Sequence, residues 1–170
     1  MERTGIITMN GSALTLIGQE IKAGDKAPDF ALLDANLAVK ELKDFSGKIK
    51  VISVTPSLDT PVCDIQIHWF NEEAARQTED VVILNISVDL PFAIKRFCAA
   101  GNIDRTVVLS DHREVLFGSR YGVLIKELRL LARSIFIVDK DDVIRYAQVV
   151  SEQTNEPDYE GAIKVLKTLV

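Results

Sequence analysis

The sequence is sparing with the residues that usually advertise chemistry. Its 170 positions hold two cysteines, two histidines, two methionines and one tryptophan. There is no C-x-x-C pair and no tight histidine spacing. That argues against a structural zinc site and against a C-x-x-C disulfide reductase. Cys63, His68, Cys98 and His112 could supply four metal ligands, but nothing in their spacing draws them together. No stretch approaches the roughly 20 apolar residues of a membrane helix. Met1 to Gly11 contains no apolar core of a secretory signal. Basic runs and basic helical stripes are missing too, so nucleic acid is not an expected partner. Together these absences lead to the expectation of a cytoplasmic protein with no metal, no cofactor and no membrane contact.

What is present fits a soluble globular chain: 47% hydrophobic and 26% charged residues, with a formal charge of -5. The length suits one domain over residues 1–170. Gly5 to Met9 and Ser12 to Ile17 flank Asn10-Gly11, which predicts a β-hairpin with a type I′ turn. Short strands are expected over Asp29 to Leu33 and Leu37 to Leu42. The β-branched run Ile49 to Thr55 predicts a central strand, and Val81 to Val88 a second buried one. Between them Cys63, Ile67, Phe70 and Ala74 recur at offsets of four, three and four, so Val62 to Gln77 reads as a helix. Pro91 to Ala100 is a second helix, Arg105 to Leu109 a short strand, and His112 to Tyr121 a short helix or turn. Ser134 to Val138 and Val143 to Val149 flank a turn at Asp139 to Asp142, and Tyr159 to Leu169 closes the chain as an amphipathic helix. This order predicts an α/β protein: a thioredoxin-like fold with an N-terminal β-hairpin extension and a mixed central sheet flanked by helices.

Cys63 stands out by position. It follows a loop leaving the predicted central strand and sits where a helix begins, the region where α/β sheets place their sites. A thiol is a poor nucleophile until it loses its proton. The unpaired N–H groups and partial positive charge of a helix start favour that loss. Thr60 can offer a hydroxyl to the sulfur or to an attacked oxygen. Pro61 suits the first helical position because it has no N–H to leave unpaired, and Pro56 can wall off water. On its own, Cys98 reads as an apolar thiol among Phe92, Ile94 and Phe97, the ordinary role of a free cysteine in a reducing compartment.

The run Pro56-Ser57-Leu58-Asp59-Thr60-Pro61-Val62-Cys63 resembles the P-x-x-x-T-x-x-C motif of peroxiredoxins. The longer string PSLDTPVCDIQIHWFNEEAA is similar to the active-site segment of the bacterial thiol peroxidase family, which belongs to the atypical two-cysteine peroxiredoxins. VDLPFAIKRFCAA, GDKAPDFALLD and LLARSIFIVD match that family in place, so the resemblance spans nearly the whole chain. It implies a peroxidase that accepts hydroperoxides. Cys63 would be the peroxidatic cysteine, Thr60 its hydroxyl partner, Pro56 its shield and Arg133 the active-site arginine. Cys98 would be the resolving cysteine, forming an intramolecular disulfide that thioredoxin reduces. A homodimer is also implied. A non-enzymatic redox sensor using the same disulfide is the alternative from another functional class.

Two features depart from the family. Asp64 follows the nucleophile where a small polar residue is usual, and a carboxylate facing the sulfur would oppose the thiolate. Ile65, Ile67 and Trp69 are more apolar than expected, which suggests either core packing or an apolar wall for substrate.

Overall fold

A computed structural model describes all 170 residues. In chain order the strands are β1 (Glu2–Met9), β2 (Ser12–Ile17), β3 (Ala31–Leu33), β4 (Val39–Glu41), β5 (Ile49–Val54), β6 (Val81–Ser87), β7 (Val107–Ser110), β8 (Leu124–Ile125), β9 (Ser134–Val138) and β10 (Ile144–Val149). The helices are α1 (Pro61–Ala74), α2 (Pro91–Gly101), α3 (Leu116–Arg120) and α4 (Tyr159–Leu166). Seven strands form a mixed sheet in the order β10-β9-β5-β6-β7-β3-β4, with β5, β6 and β7 parallel. β1, β2 and β8 form a separate antiparallel sheet.

The hairpin turns where expected. Asn10 and Gly11 both take positive φ, 50° and 79°, as a two-residue I′ turn requires. β1 starts at Glu2, ahead of the predicted Gly5. The pairing shifts between Arg3 and Ile7, where Gly5 sits at φ 72°, so an irregularity lets the strand continue past the glycine. The sequence also hides a 3-10 turn at Leu42–Phe45, which ends β4 early, and the two-residue β8.

Alternation along the central strands divides the core in two. Ile52, Val54, Leu84, Ile86, Phe136 and Val138 face one way, packing with Ile7, Leu14 and Leu16 of the hairpin. Ile49, Val51, Ile83, Ile135 and Ile137 face the other way and meet Phe70 of α1 with Ala162 and Leu166 of α4. A smaller cluster joins α1 to α2: Ile67, Ile94, Leu58, Ile103 and Val108. β5 is buried along its whole length, because both faces of a central parallel strand are covered. The loop after it therefore leaves from the middle of the molecule.

The hairpin is tied to the segment after β10. Thr8 N donates to Ser151 O at 2.7 Å, and Gln153 N donates to Thr8 O at 2.8 Å. Between those two residues the Glu152 carboxylate accepts from Thr8 Oγ1, Asn10 N and Gly11 N at 2.8, 3.0 and 3.1 Å. The Thr8 hydroxyl, then the Gly11 and Thr154 amides, pull the Glu152 pKa down to about 2. An acid whose folded value lies below its ordinary value of about 4.3 stabilises the fold fully above that value. The contribution is lost as pH falls toward about 2. Glu152→Gln should accordingly lower the urea midpoint at pH 7, with the difference from the parent shrinking as acid protonates the carboxylate. Equal midpoints at pH 7 would contradict this cap.

Candidate active site

The chain leaves β5 through buried Pro56 and turns at Ser57 to Thr60. Thr60 is the extended N-cap of α1 (φ -101°, ψ 147°), and Pro61 takes the first helical position, where its fixed φ suits the helix. Cys63 is the third helical residue, within the turn whose N–H groups lack helical partners. Its side chain is fully buried, and the thiol is free.

Arg133, immediately before β9, meets it. The Arg133 Nη2 donates to Cys63 Sγ at 3.4 Å. Nη1 donates to Gln66 Oε1 at 3.0 Å and Nε to Gln153 O at 3.1 Å. The backbone N–H of Arg133 donates to Gln153 Oε1 at 2.5 Å. Gln66 is held in turn, donating to Ser53 Oγ at 2.8 Å and Val54 O at 3.3 Å. Arg133 is only 2% exposed, and no carboxylate pairs with it. Every contact of this buried cation is neutral unless the Cys63 sulfur is ionised. Burial of an uncompensated charge is costly, and the Cys63 sulfur is the one titratable group among these contacts.

Gln66 and Gln153 were missed in the sequence. Gln66 carried a signal: it is three residues after Cys63, a polar side chain on the buried stripe of an amphipathic helix. Gln153, in a loop, carried none.

Thr60 stands at the helix start, but its hydroxyl donates to Ser57 O at 3.2 Å rather than to the sulfur. The backbone N–H of Thr60 reaches the same carbonyl at 3.3 Å, so the turn itself captures the hydroxyl. Asp64 points away from the sulfur, toward His68 Nδ1 at 3.3 Å. The departure at Asp64 therefore places a carboxylate on the exposed side of α1. Ile67 is buried between α1 and α2, and Trp69 stacks on Tyr159 with ring centroids 4.4 Å apart. Those two are packing residues and form no substrate wall. Ile65 is half exposed.

Cys98 lies in the last turn of α2 and packs with Phe97 against the α1–α2 cluster. Its carbonyl accepts from Ile103 N at 3.0 Å and from the Asn102 N–H, Asn102 ending the helix in the left-handed region. Burial pushes the Cys98 thiol pKa up. His112 bonds Ser110 Oγ at 2.9 Å. No three His, Cys, Asp or Glu side chains converge as a metal site, and no helix is long and apolar enough to cross a membrane.

A thioredoxin-like sheet carrying a buried cysteine at a helix start, capped by a buried arginine, defines a redoxin-type protein. Residues 22–163 match the Redoxin family model. Two thiol peroxidases resemble the chain along nearly its full length. The one from Bacillus subtilis is 54% identical over 164 residues, covering 96% of this chain and 98% of that one. The one from Staphylococcus aureus is 48% identical over 163 residues, covering 96% and 98%. A peroxiredoxin-like protein from Aquifex aeolicus shares the structure with a TM-score of 0.91 and 40% identity, covering 99% of this chain and 98% of that one. A thiol peroxidase from Chromobacterium violaceum shares the fold at a TM-score of 0.85 with 23% identity, covering 95% of each chain. The chain belongs to the thiol peroxidase family, peroxidases of the peroxiredoxin type.

If Arg133 is the cation that favours ionised Cys63, Arg133→Met should slow peroxide attack by about 10² to 10³, the cost of losing one preorganised donor. The pH profile of attack should also move to higher pH. Stopped-flow measurement of Cys63 oxidation across pH checks both, and an unchanged rate and profile would exclude this role for Arg133.

Proposed function

We propose that the chain, acting as one domain, reduces hydrogen peroxide and organic hydroperoxides through Cys63. The observation that carries this reading is the buried guanidinium set directly on a buried sulfur at a helix start. The Cys63 thiolate attacks one peroxide oxygen, and the O–O bond breaks. The departing oxygen takes a proton to leave as water or an alcohol, and Cys63 becomes a sulfenic acid. Charge builds on that departing oxygen in the transition state, where Arg133 and the first-turn N–H groups of α1 can receive it. Thr60 joins them by turning its hydroxyl from Ser57 toward the peroxide. Pro56, buried beside the loop, keeps water from the sulfur.

Cys98 then condenses with the sulfenic acid, forming an intramolecular disulfide and releasing water. A thioredoxin dithiol reduces that bond by exchange and restores both thiols. The raised Cys98 pKa supports this division of labour, because a half-buried protonated thiol is a poor attacker of peroxide while α2 is folded. A disulfide needs Cα atoms roughly 4.4–6.8 Å apart. Bringing the start of α1 to the end of α2 within that range calls for local opening, and the left-handed exit at Asn102 is a natural hinge. The same reading places the protein in the cytoplasm as a homodimer.

The test is NADPH-coupled turnover with thioredoxin and its reductase. Sustained consumption over many equivalents is the expected result, and oxidation that stops after one equivalent would instead fit a redox sensor. Cys63→Ser should abolish turnover while remaining folded. Cys98→Ser should oxidise once per chain and then stall with thioredoxin. Near-normal turnover by folded Cys63→Ser would reject the assignment.

A further inference from the structure

Asp89 takes no part in the site described above, yet its carboxylate touches the segment that leads into Cys63. It lies just after β6 and two residues before α2, the helix that carries Cys98. Its Oδ1 accepts from Ser57 Oγ at 3.1 Å, and its Oδ2 accepts from Leu58 N at 2.8 Å and Ser87 Oγ at 2.8 Å. The Asp89 main chain is fixed independently. Its N–H donates to Ser87 Oγ at 3.2 Å, and its carbonyl accepts from Ser110 Oγ at 2.5 Å. The ends of β6 and β7 thus anchor the residue. Ser57, which it holds, offers its own carbonyl to Thr60 Oγ1 and Thr60 N. One half-buried carboxylate therefore ties the Cys63 loop to the entry of the Cys98 helix.

We propose that Asp89 is a positioning residue, a brace that holds the Ser57–Thr60 turn in the geometry for peroxide attack and restrains the opening that disulfide formation requires. This rests on the reading of Cys98 as the resolving cysteine. The brace acts on the two half-reactions in opposite directions. While it holds, Cys63 attacks well and its sulfenic acid persists. When it lets go, the loop leaves α2 and Cys98 reaches the sulfur. The lifetime of the sulfenic acid decides a second outcome. Another hydroperoxide can oxidise it to sulfinic acid, the peroxide O–O bond breaking and an alcohol or water leaving. A strong brace therefore raises sensitivity to excess peroxide.

The experiment is rapid quench with mass spectrometry on the full chain, counting thiol, sulfenic, disulfide and sulfinic forms after one equivalent and after excess peroxide. Asp89→Ala should slow the first oxidation by about tenfold and speed disulfide formation by about tenfold, the scale of losing hydrogen bonds to a charged acceptor. Sulfinic product in excess peroxide should fall. Asp89→Asn, which keeps the shape but loses acceptor capacity, should move every rate the same way by less, and it serves if the alanine variant does not fold. Asp139→Ala is the control. That carboxylate braces the remote β9–β10 turn through Asp141 N, Val143 N and Arg145 Nε. The same split of rates in Asp139→Ala would reduce the effect to lost stability and overturn the brace. Unchanged rates in Asp89→Ala, with the wild-type disulfide still forming, would overturn the brace alone. A wild-type chain that consumes peroxide without ever forming the Cys63–Cys98 bond would overturn the resolving role and the brace with it.

Discussion

A buried guanidinium without a carboxylate is the constraint on which this molecule is organised. Arg133 is almost entirely enclosed, and its donors meet an amide oxygen, a backbone carbonyl and a sulfur. Such a cation is tolerable only if the interior supplies a negative charge or enough oriented dipoles. The two glutamine acceptors provide the dipoles. The remaining partner of Arg133 is the Cys63 sulfur, and the proposed function assigns the compensating charge to that sulfur. Much of the surrounding structure fixes the meeting point. β9 pairs with β5 and places Arg133 beside the strand whose loop delivers the cysteine. Gln66 couples the same helix to Ser53 and Val54 of that strand.

The two cysteines sit in different physical environments, and the proposed division of labour follows that difference. Cys63 has a cation and a helix start beside it. Cys98 has an apolar cluster and a thiol pKa raised by burial. Under the proposed function, the first attacks while the chain is folded and the second acts only after its helix end opens. The segment that opens in the proposed cycle is short and bounded by polar ties: the Asp89 carboxylate on one side and the left-handed Asn102 exit on the other. The central strands meet those ties only at Ser87 and Ser110, at the ends of β6 and β7, so local opening and a stable core are compatible.

Much of this was legible in the sequence, for definite reasons. Asn10-Gly11 permits few backbone conformations, so the hairpin could be read from two residues. β5 and β6 are β-branched and apolar on both faces, the mark of covered parallel strands. Cys63 was visible because a proline and a threonine precede it where a helix starts. The hidden features depend on contacts between distant segments. Arg133 could be placed at the head of a strand, but its partners Gln66 and Gln153 lie 67 and 20 residues away. The direction of the Thr60 hydroxyl was hidden because the competing Ser57 carbonyl exists only once the turn has closed. Ile67 and Trp69 looked like a surplus of apolar surface until α2 and Tyr159 covered them. Asp89 drew no notice because nothing in a sequence says which loop a carboxylate will hold.

The dependence of Arg133 on the Cys63 sulfur is a property of a pair, which a double-mutant cycle isolates. Urea unfolding free energies of the reduced wild type, Cys63→Ser, Arg133→Met and the double variant, measured at neutral pH, give the coupling directly. A sulfur anion that compensates a buried guanidinium requires a stabilising coupling of about 2 kcal/mol, because either single variant leaves its partner unmatched. Additivity within about 0.5 kcal/mol would mean that the two groups touch without depending on each other, and would rule out charge compensation at this site.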